Sequence, residues 1–272
     1  MKSGYHVVYA RDYTEGIADA RTYGFNFAQF ELGVPSFYLD GLSDTQLKEI
    51  RDYVESSGVE ITFHAPGDNV SLYADYPCVR RGNLEQFERI LEKANMLKAR
   101  HMTVHAGEFS SFKQSGGAGD VFAGTFAAYY EDVLYENLKE VLRYAGDVLV
   151  CLENYHLNGV GMRAAQRLLD EGQSLYLTLD IPKIYTSSAA AQINEAQLAF
   201  YHKNRHAIRE LHIHDCSEAH GSHQTVGTGS IDFSLFLPFC GPEVYLNFEV
   251  RPVEEAAKSR LAWEAIILED SR

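Results

Sequence analysis

Tryptophan occurs once in the 272-residue chain, cysteine four times and proline seven times. Cys78, Cys151, Cys216 and Cys240 are far apart and form no C-x-x-C pair. A disulfide framework is therefore not expected; reduced thiols in a cytoplasmic protein are. No apolar run reaches the roughly 18 residues that cross a bilayer, so no membrane partner is expected. The opening stretch, MKSGYHVVYARDYTEG, turns polar within a few residues, unlike a signal peptide. Positive charge is scarce: 24 Lys+Arg stand against 38 Asp+Glu, a net −14. Such a field repels phosphodiester backbones, which disfavours a nucleic-acid partner. What is present is ordinary for a globular protein, 46% hydrophobic and 23% charged residues, which excludes disorder and fibrous repeats. With no linker or shift in composition, residues 1–272 read as a single domain.

A rhythm of short apolar strand, polar loop and amphipathic helix runs along the chain. The strand candidates are 6–10, 25–32, 59–65, 101–106, 147–154, 175–181, 208–215 and 243–250. Helical periodicity falls at 44–57, 82–98, 127–145, 162–170, 194–206 and 253–267. Ser43 is a natural N-cap for the first of these and Gly58 its stop. Strand–helix alternation implies a parallel sheet, and eight units imply closure. The fold class is α/β, a single (β/α)₈ TIM barrel. An open doubly wound sheet is the alternative, but no glycine-rich dinucleotide turn follows the first strand.

Polar side chains gather at the strand ends: His64, His105, Glu153, Asp180, His212 with His214, and Glu249. Side chains alternate along a strand, so Thr62 shares a face with His64, Thr103 with His105, Thr178 with Asp180 and Asn247 with Glu249. The intervening Phe63, Val104, Leu179, Ile213 and Phe248 face the helices. Ionisable groups turned into a barrel are expensive unless paired or liganded, and this is the end where barrel active sites lie. Glu153, Asp180, His212 and Glu249 form a hard donor set. They are assigned to one divalent ion, Mn²⁺, Mg²⁺, Co²⁺ or Zn²⁺. His64 and His105 are placed to bind a second ion or a substrate hydroxyl.

In order, FHAP (63–66), VHAG (104–107), LEN (152–154), LDIPK (179–183), LHIHD (211–215), HQTVGTGSIDF (223–233) and FEVRP (248–252) resemble the xylose isomerase-like TIM barrels. These include sugar-phosphate isomerases and epimerases and endonuclease IV. The resemblance spans residues 59–252. It implies shared metal ligands at Glu153, Asp180, His212 and Glu249. His212 is preferred to His214 as the first polar residue of its motif. His64, His105 and His223 match histidines that bind extra zinc in the endonuclease branch and that touch substrate in isomerases. Two endonuclease ligands are missing: Lys183 stands three residues after Asp180 where that branch has histidine, and Gly221-Ser222-His223 replaces its Asp-x-His pair.

The resemblance implies an isomerase or epimerase acting on a small-molecule sugar, sugar phosphate or keto acid. A proton next to a carbonyl is removed and returned, with the ion stabilising an enediolate. The same resemblance points to Glu153 and Glu249 as the acid/base pair. Lys183 and Arg251 are candidate contacts for an anionic group. Gly227 and Gly229, in VGTGS (226–230), could form an anion nest, though an ordinary turn is the stronger reading. Glu31, Tyr155 and Phe109 could edge the pocket, and loop 107–124 could cover it. The alternatives are a metal-dependent phosphodiesterase of the endonuclease IV type and a non-catalytic ligand-binding barrel. A homo-oligomer is compatible with all three.

Overall fold

A computed structural model of the chain describes residues 1–67, 70–107, 119–185 and 192–270, without the side chains of 119–125 and 270. Parallel strands β1 (Lys2–Val7), β2 (Phe27–Glu31), β3 (Glu60–His64), β4 (His101–Val104), β5 (Leu149–Glu153), β6 (Leu175–Asp180) and β7 (Ile208–Ile213) follow one another around a barrel. Two further strands, β8 (Asp215–Ser217) and β9 (Gly221–Gln224), make a separate antiparallel hairpin. β10 (Tyr245–Phe248) then closes the ring between β7 and β1. The TIM barrel read from the sequence is the fold observed.

Helices α1 (Tyr13–Thr22), α2 (Asp44–Ser57), α3 (Pro77–Met96), α4 (Gly119–Tyr144), α5 (Gly159–Asp170), α6 (Glu195–Lys203) and α7 (Val253–Asp270) form the outer layer. Among the described residues, no helix is long and apolar enough to cross a membrane. Ser43 caps α2 through a reciprocal capping box with Gln46, and Gly58 ends it at φ 74°. Both were expected. The first strand lies earlier than 6–10, because Lys2–Val7 is the segment that pairs with β2 and β10. Helix α1 and the β8–β9 hairpin were not anticipated.

The alternation of side chains divides the core in two. Phe30, Phe63, Val104, Leu179, Ile213 and Phe248 are wholly buried beneath the helices. The other face points into the barrel and fills it with side chains. There the strands contribute three tiers. Phe27, His101 and Tyr245 sit at the bottom, in edge-on ring contact. Gln29, Thr103, Thr178, Glu210 and Asn247 form a middle tier that is entirely buried and polar. The ionisable residues of the strand ends form the top tier. Register aligns it: Glu31 lies opposite His64, and Asp180 opposite His212.

Candidate active site and metal centre

Each strand end delivers one or two donors to a common centre. From β5 comes Glu153, whose Oε2 lies 3.0 Å from His105 Nε2, 3.2 Å from His64 Nε2 and 3.6 Å from His212 Nδ1. Glu249, just past β10, places Oε1 3.3 Å from His212 Nδ1 and 3.3 Å from His6 Nδ1. Asp180 closes β6 with Oδ1 3.5 Å from His214 Nε2. Its backbone is held by Asn154, which donates to the Asp180 carbonyl at 2.9 Å and accepts the Asp180 N–H at 2.7 Å. The four proposed ligands thus converge at the barrel mouth, all buried.

Among the described residues, three donor groups are compact enough for an ion: Glu153–Asp180–His212, His64–His105–Glu153 and His214–His223–Glu249, each with ligand atoms within 4.8 Å of one another. The two strand-seven histidines differ in what their nitrogens do. His214 Nδ1 accepts the His223 N–H at 2.9 Å, which leaves its proton on Nε2, towards Asp180. His212 Nε2 instead meets Glu210 Oε2 at 3.2 Å, and its Nδ1 is buried without a hydrogen-bond partner. An unpartnered imidazole nitrogen facing carboxylates is what a divalent cation would relieve, so the residues fit a metal.

The electrostatics carry the same mark. Burial alone would lower the His212 pKa, but Glu249, Glu153 and Glu210 outweigh it and raise it to about 10. Burial would raise Glu153, yet His105, His212 and His64 hold it well below the carboxylate range. Glu249 is likewise held down, to about 2, by His212, His6 and His223 against the cost of its burial. Burial and the neighbouring His214 push His223 down to about 4. Protons thus occupy His212 where an ion would otherwise neutralise the two glutamates.

Around this centre the structure places the remaining candidates. Lys183 follows β6 in a short 3₁₀ turn, Pro182–Ile184, and its Nζ lies 5.2 Å above the Tyr155 ring. Burial opposes its charge, while Asp180, Glu153 and Glu249 together raise its pKa. Tyr155 in turn packs against His105, with ring centroids 4.6 Å apart. Arg251 donates to His6 Nδ1 at 2.7 Å, so that nitrogen is engaged inside the protein. His223 reaches the mouth on β9 and stacks on His214 at 4.2 Å. Glu31 bridges His6 and His64, at 3.4 and 3.1 Å. Phe109 and most of loop 107–124 lie outside the described residues.

An ordinary turn is the stronger sequence reading of 226–230, yet the turn cradles an anion, the chain's own Asp215. Oδ2 accepts the Gly227 and Gly229 N–H groups at 3.0 and 2.9 Å, and Oδ1 those of Cys216 and Ile231. A Cβ at Gly229 would run into this carboxylate. Sequence reading also missed His6 and Glu210, although Glu210 has the inward parity of His212 two residues on.

A family model described as a xylose isomerase-like TIM barrel matches residues 17–263. No curated protein sequence matches the chain. Among solved structures, a D-tagatose 3-epimerase-like protein is similar at 20% identity, over 98% of this chain and 97% of that one, with a TM-score of 0.71. D-psicose 3-epimerase from Clostridium cellulolyticum, solved with D-tagatose, shares 16% identity over 100% and 99%, with a TM-score of 0.70. Endonuclease IV from Thermus thermophilus shares 19% over 99% and 100%, with a TM-score of 0.67. At these identities the likenesses establish the fold, which sugar epimerases and endonuclease IV have in common. Carried by the family match over nearly the whole barrel, the conclusion is that the chain belongs to the xylose isomerase-like TIM-barrel family.

Proposed function

We propose that the protein is a divalent-metal-dependent isomerase or epimerase of a small sugar, sugar phosphate or keto acid, working in the cytoplasm. One observation carries this reading. Glu153 and Glu249 approach the same unpartnered nitrogen, His212 Nδ1, from strands on different sides of the barrel, at 3.6 and 3.3 Å. Two carboxylates so placed flank a substrate while sharing one ion, held by Glu153, Asp180, His212 and Glu249. That ion would supply Lewis-acid stabilisation of the negative charge that develops on substrate oxygens.

The chain's own groups do the rest. One glutamate takes the proton from the carbon beside the carbonyl, and the other returns a proton to the neighbouring carbon or the opposite face. His64 and His105 hold Glu153 from the β3 and β4 side, where they also meet substrate hydroxyls. His223 closes the mouth above Glu249. Lys183 presents an ammonium beside the acidic centre and takes an anionic or carbonyl oxygen of the substrate. Arg251 acts through His6, by orienting it against Glu249.

The test is solvent-deuterium incorporation into a panel of aldoses, ketoses, their phosphates and keto acids, with Mn²⁺ present. Exchange at the carbon next to the carbonyl is expected for at least one compound class. No exchange across the panel with any of the four metals would refute the proposal. The second reading, an endonuclease IV-like phosphodiesterase, draws on the His64–His105–Glu153 group, which could hold another ion. Lys183 and the net charge of −14 count against it. Metal-dependent nicking of abasic duplex DNA, lost in Glu249→Gln, would favour it instead.

A further inference from the structure

Directly beneath the metal centre, Glu210 is fully buried in the middle tier of the barrel. Thr103, Gln29 and His212 are hydrogen-bonded to it. Thr103 Oγ1 donates to Oε2 at 2.6 Å, and Gln29 Nε2 lies 2.9 Å from both carboxylate oxygens. The Gln29 amide is fixed in that sense because Asn247 Nδ2 donates to its Oε1 at 2.6 Å. Thr178 shares a 2.8 Å hydrogen bond with Thr103, whose own proton goes to Glu210. His101 Nε2 stands 3.1 Å from Oε1. Glu210 is thus an acceptor anchored by Gln29 of β2 and Thr103 of β4. Its one hydrogen-bonded link upward is to His212 Nε2 at 3.2 Å.

We propose that Glu210 is the positioning residue for His212. It holds the ring proton on Nε2 and so would present the Nδ1 lone pair to an ion shared with Glu153, Asp180 and Glu249. The inference rests on the reading of His212 as a metal ligand. Glu249 and Glu153 face Nδ1 from above, at 3.3 and 3.6 Å, where an ion would take the place of a proton. Glu210, on the opposite side of the ring, holds the proton that remains on Nε2. Histidine ligands are commonly oriented by such a carboxylate, whose loss weakens metal binding about 10–100-fold.

The experiment combines ¹⁵N-histidine correlation spectra with Zn²⁺ affinity by competition titration, on the full chain. In the wild type, the zinc-loaded spectrum should show His212 protonated on Nε2, with that proton shifted downfield and slow to exchange. Glu210→Gln should weaken Zn²⁺ about 10–100-fold and lose the shifted resonance. Glu210→Asp, which keeps the charge but withdraws it from the ring, should do so less severely. Thr103→Val removes a hydrogen bond to Glu210 without touching the ring. It should lower thermal stability yet keep zinc affinity and the His212 resonance. Wild-type affinity in Glu210→Gln, or equal loss of affinity in all three variants, would overturn the assignment. If the wild type takes up no ion, the metal reading fails. Glu210's role is then read from the Nε2 proton alone, which should be shifted downfield and slow to exchange in the wild type and lose both features in Glu210→Gln; an unchanged proton overturns the role.

Discussion

Glu153 and Glu249 share a histidine but differ in their other contacts: Glu153 is flanked by His64 and His105, Glu249 by His6 and His214. A carboxamide can ligate through its oxygen but cannot accept a proton. Glu153→Gln and Glu249→Gln should therefore each lower turnover by about 10²–10⁴, the range for losing a general base, at saturating metal. Asp180→Asn, at a position assigned to ligation alone, should recover near-normal rates under the same conditions. Steady-state kinetics across a metal titration checks this, and recovery by all three variants would remove both glutamates from proton transfer. The metal-free protein should also carry a signature of His212. Its pKa rises from 6.5 to about 10 on folding, so the stabilisation is complete below about pH 6.5 and is lost as pH climbs towards 10. Thermal denaturation of chelator-treated protein should show this alkaline decline, flattened in His212→Asn. His64, also raised, will keep part of the slope.

At the level of the element, the β8–β9 hairpin owes its place to Asp215. Four backbone N–H groups converge on that carboxylate, three of them from the turn at 227–231. Asp215→Asn keeps the shape but turns one acceptor into a donor facing N–H groups. A loss of about 1–3 kcal/mol is expected for a buried group left unsatisfied, measured by denaturant titration. The hairpin was hard to foresee because its strands are three and four residues long and mostly polar. Helix α1 was obscured for another reason: the face it buries is Tyr13, Gly16, Ile17 and Ala20, with too few large apolar groups to mark a period. Strands β3 to β7 and helix α2 were legible, since apolar alternation and caps are local signals. Convergence of Glu153, Asp180, His212 and Glu249 was legible too, through their shared inward parity. The roles of the two strand-seven histidines were not, because they depend on Glu210 and on the His223 backbone, which only the fold brings near.

Across the whole molecule, the proposed ligands come from β5, β6, β7 and the end of β10, so an ion would tie together strands far apart in sequence. Binding that requires the closed barrel adds stability by mass action, about 2.7 kcal/mol at a ligand concentration 100 times Kd. Saturating Mn²⁺ or Zn²⁺ should raise Tm, and EDTA should reverse the gain. A metal-independent Tm would argue that the carboxylates and histidines of the mouth are a self-neutralised network.

His223 sits at φ 61°, a left-handed conformation that a bulky side chain adopts at a cost. That geometry turns its N–H to His214 and lays its ring over that residue. The chain therefore gives up folding free energy at this position to hold an imidazole at the rim, and under the proposed substrate-binding role of His223 this sets thermostability against substrate affinity. Asparagine tolerates the same backbone and keeps the N–H. His223→Asn is expected to leave Tm unchanged or higher while raising KM, measured on the same preparation. A design effort that selected variants on heat resistance alone would discard this histidine first.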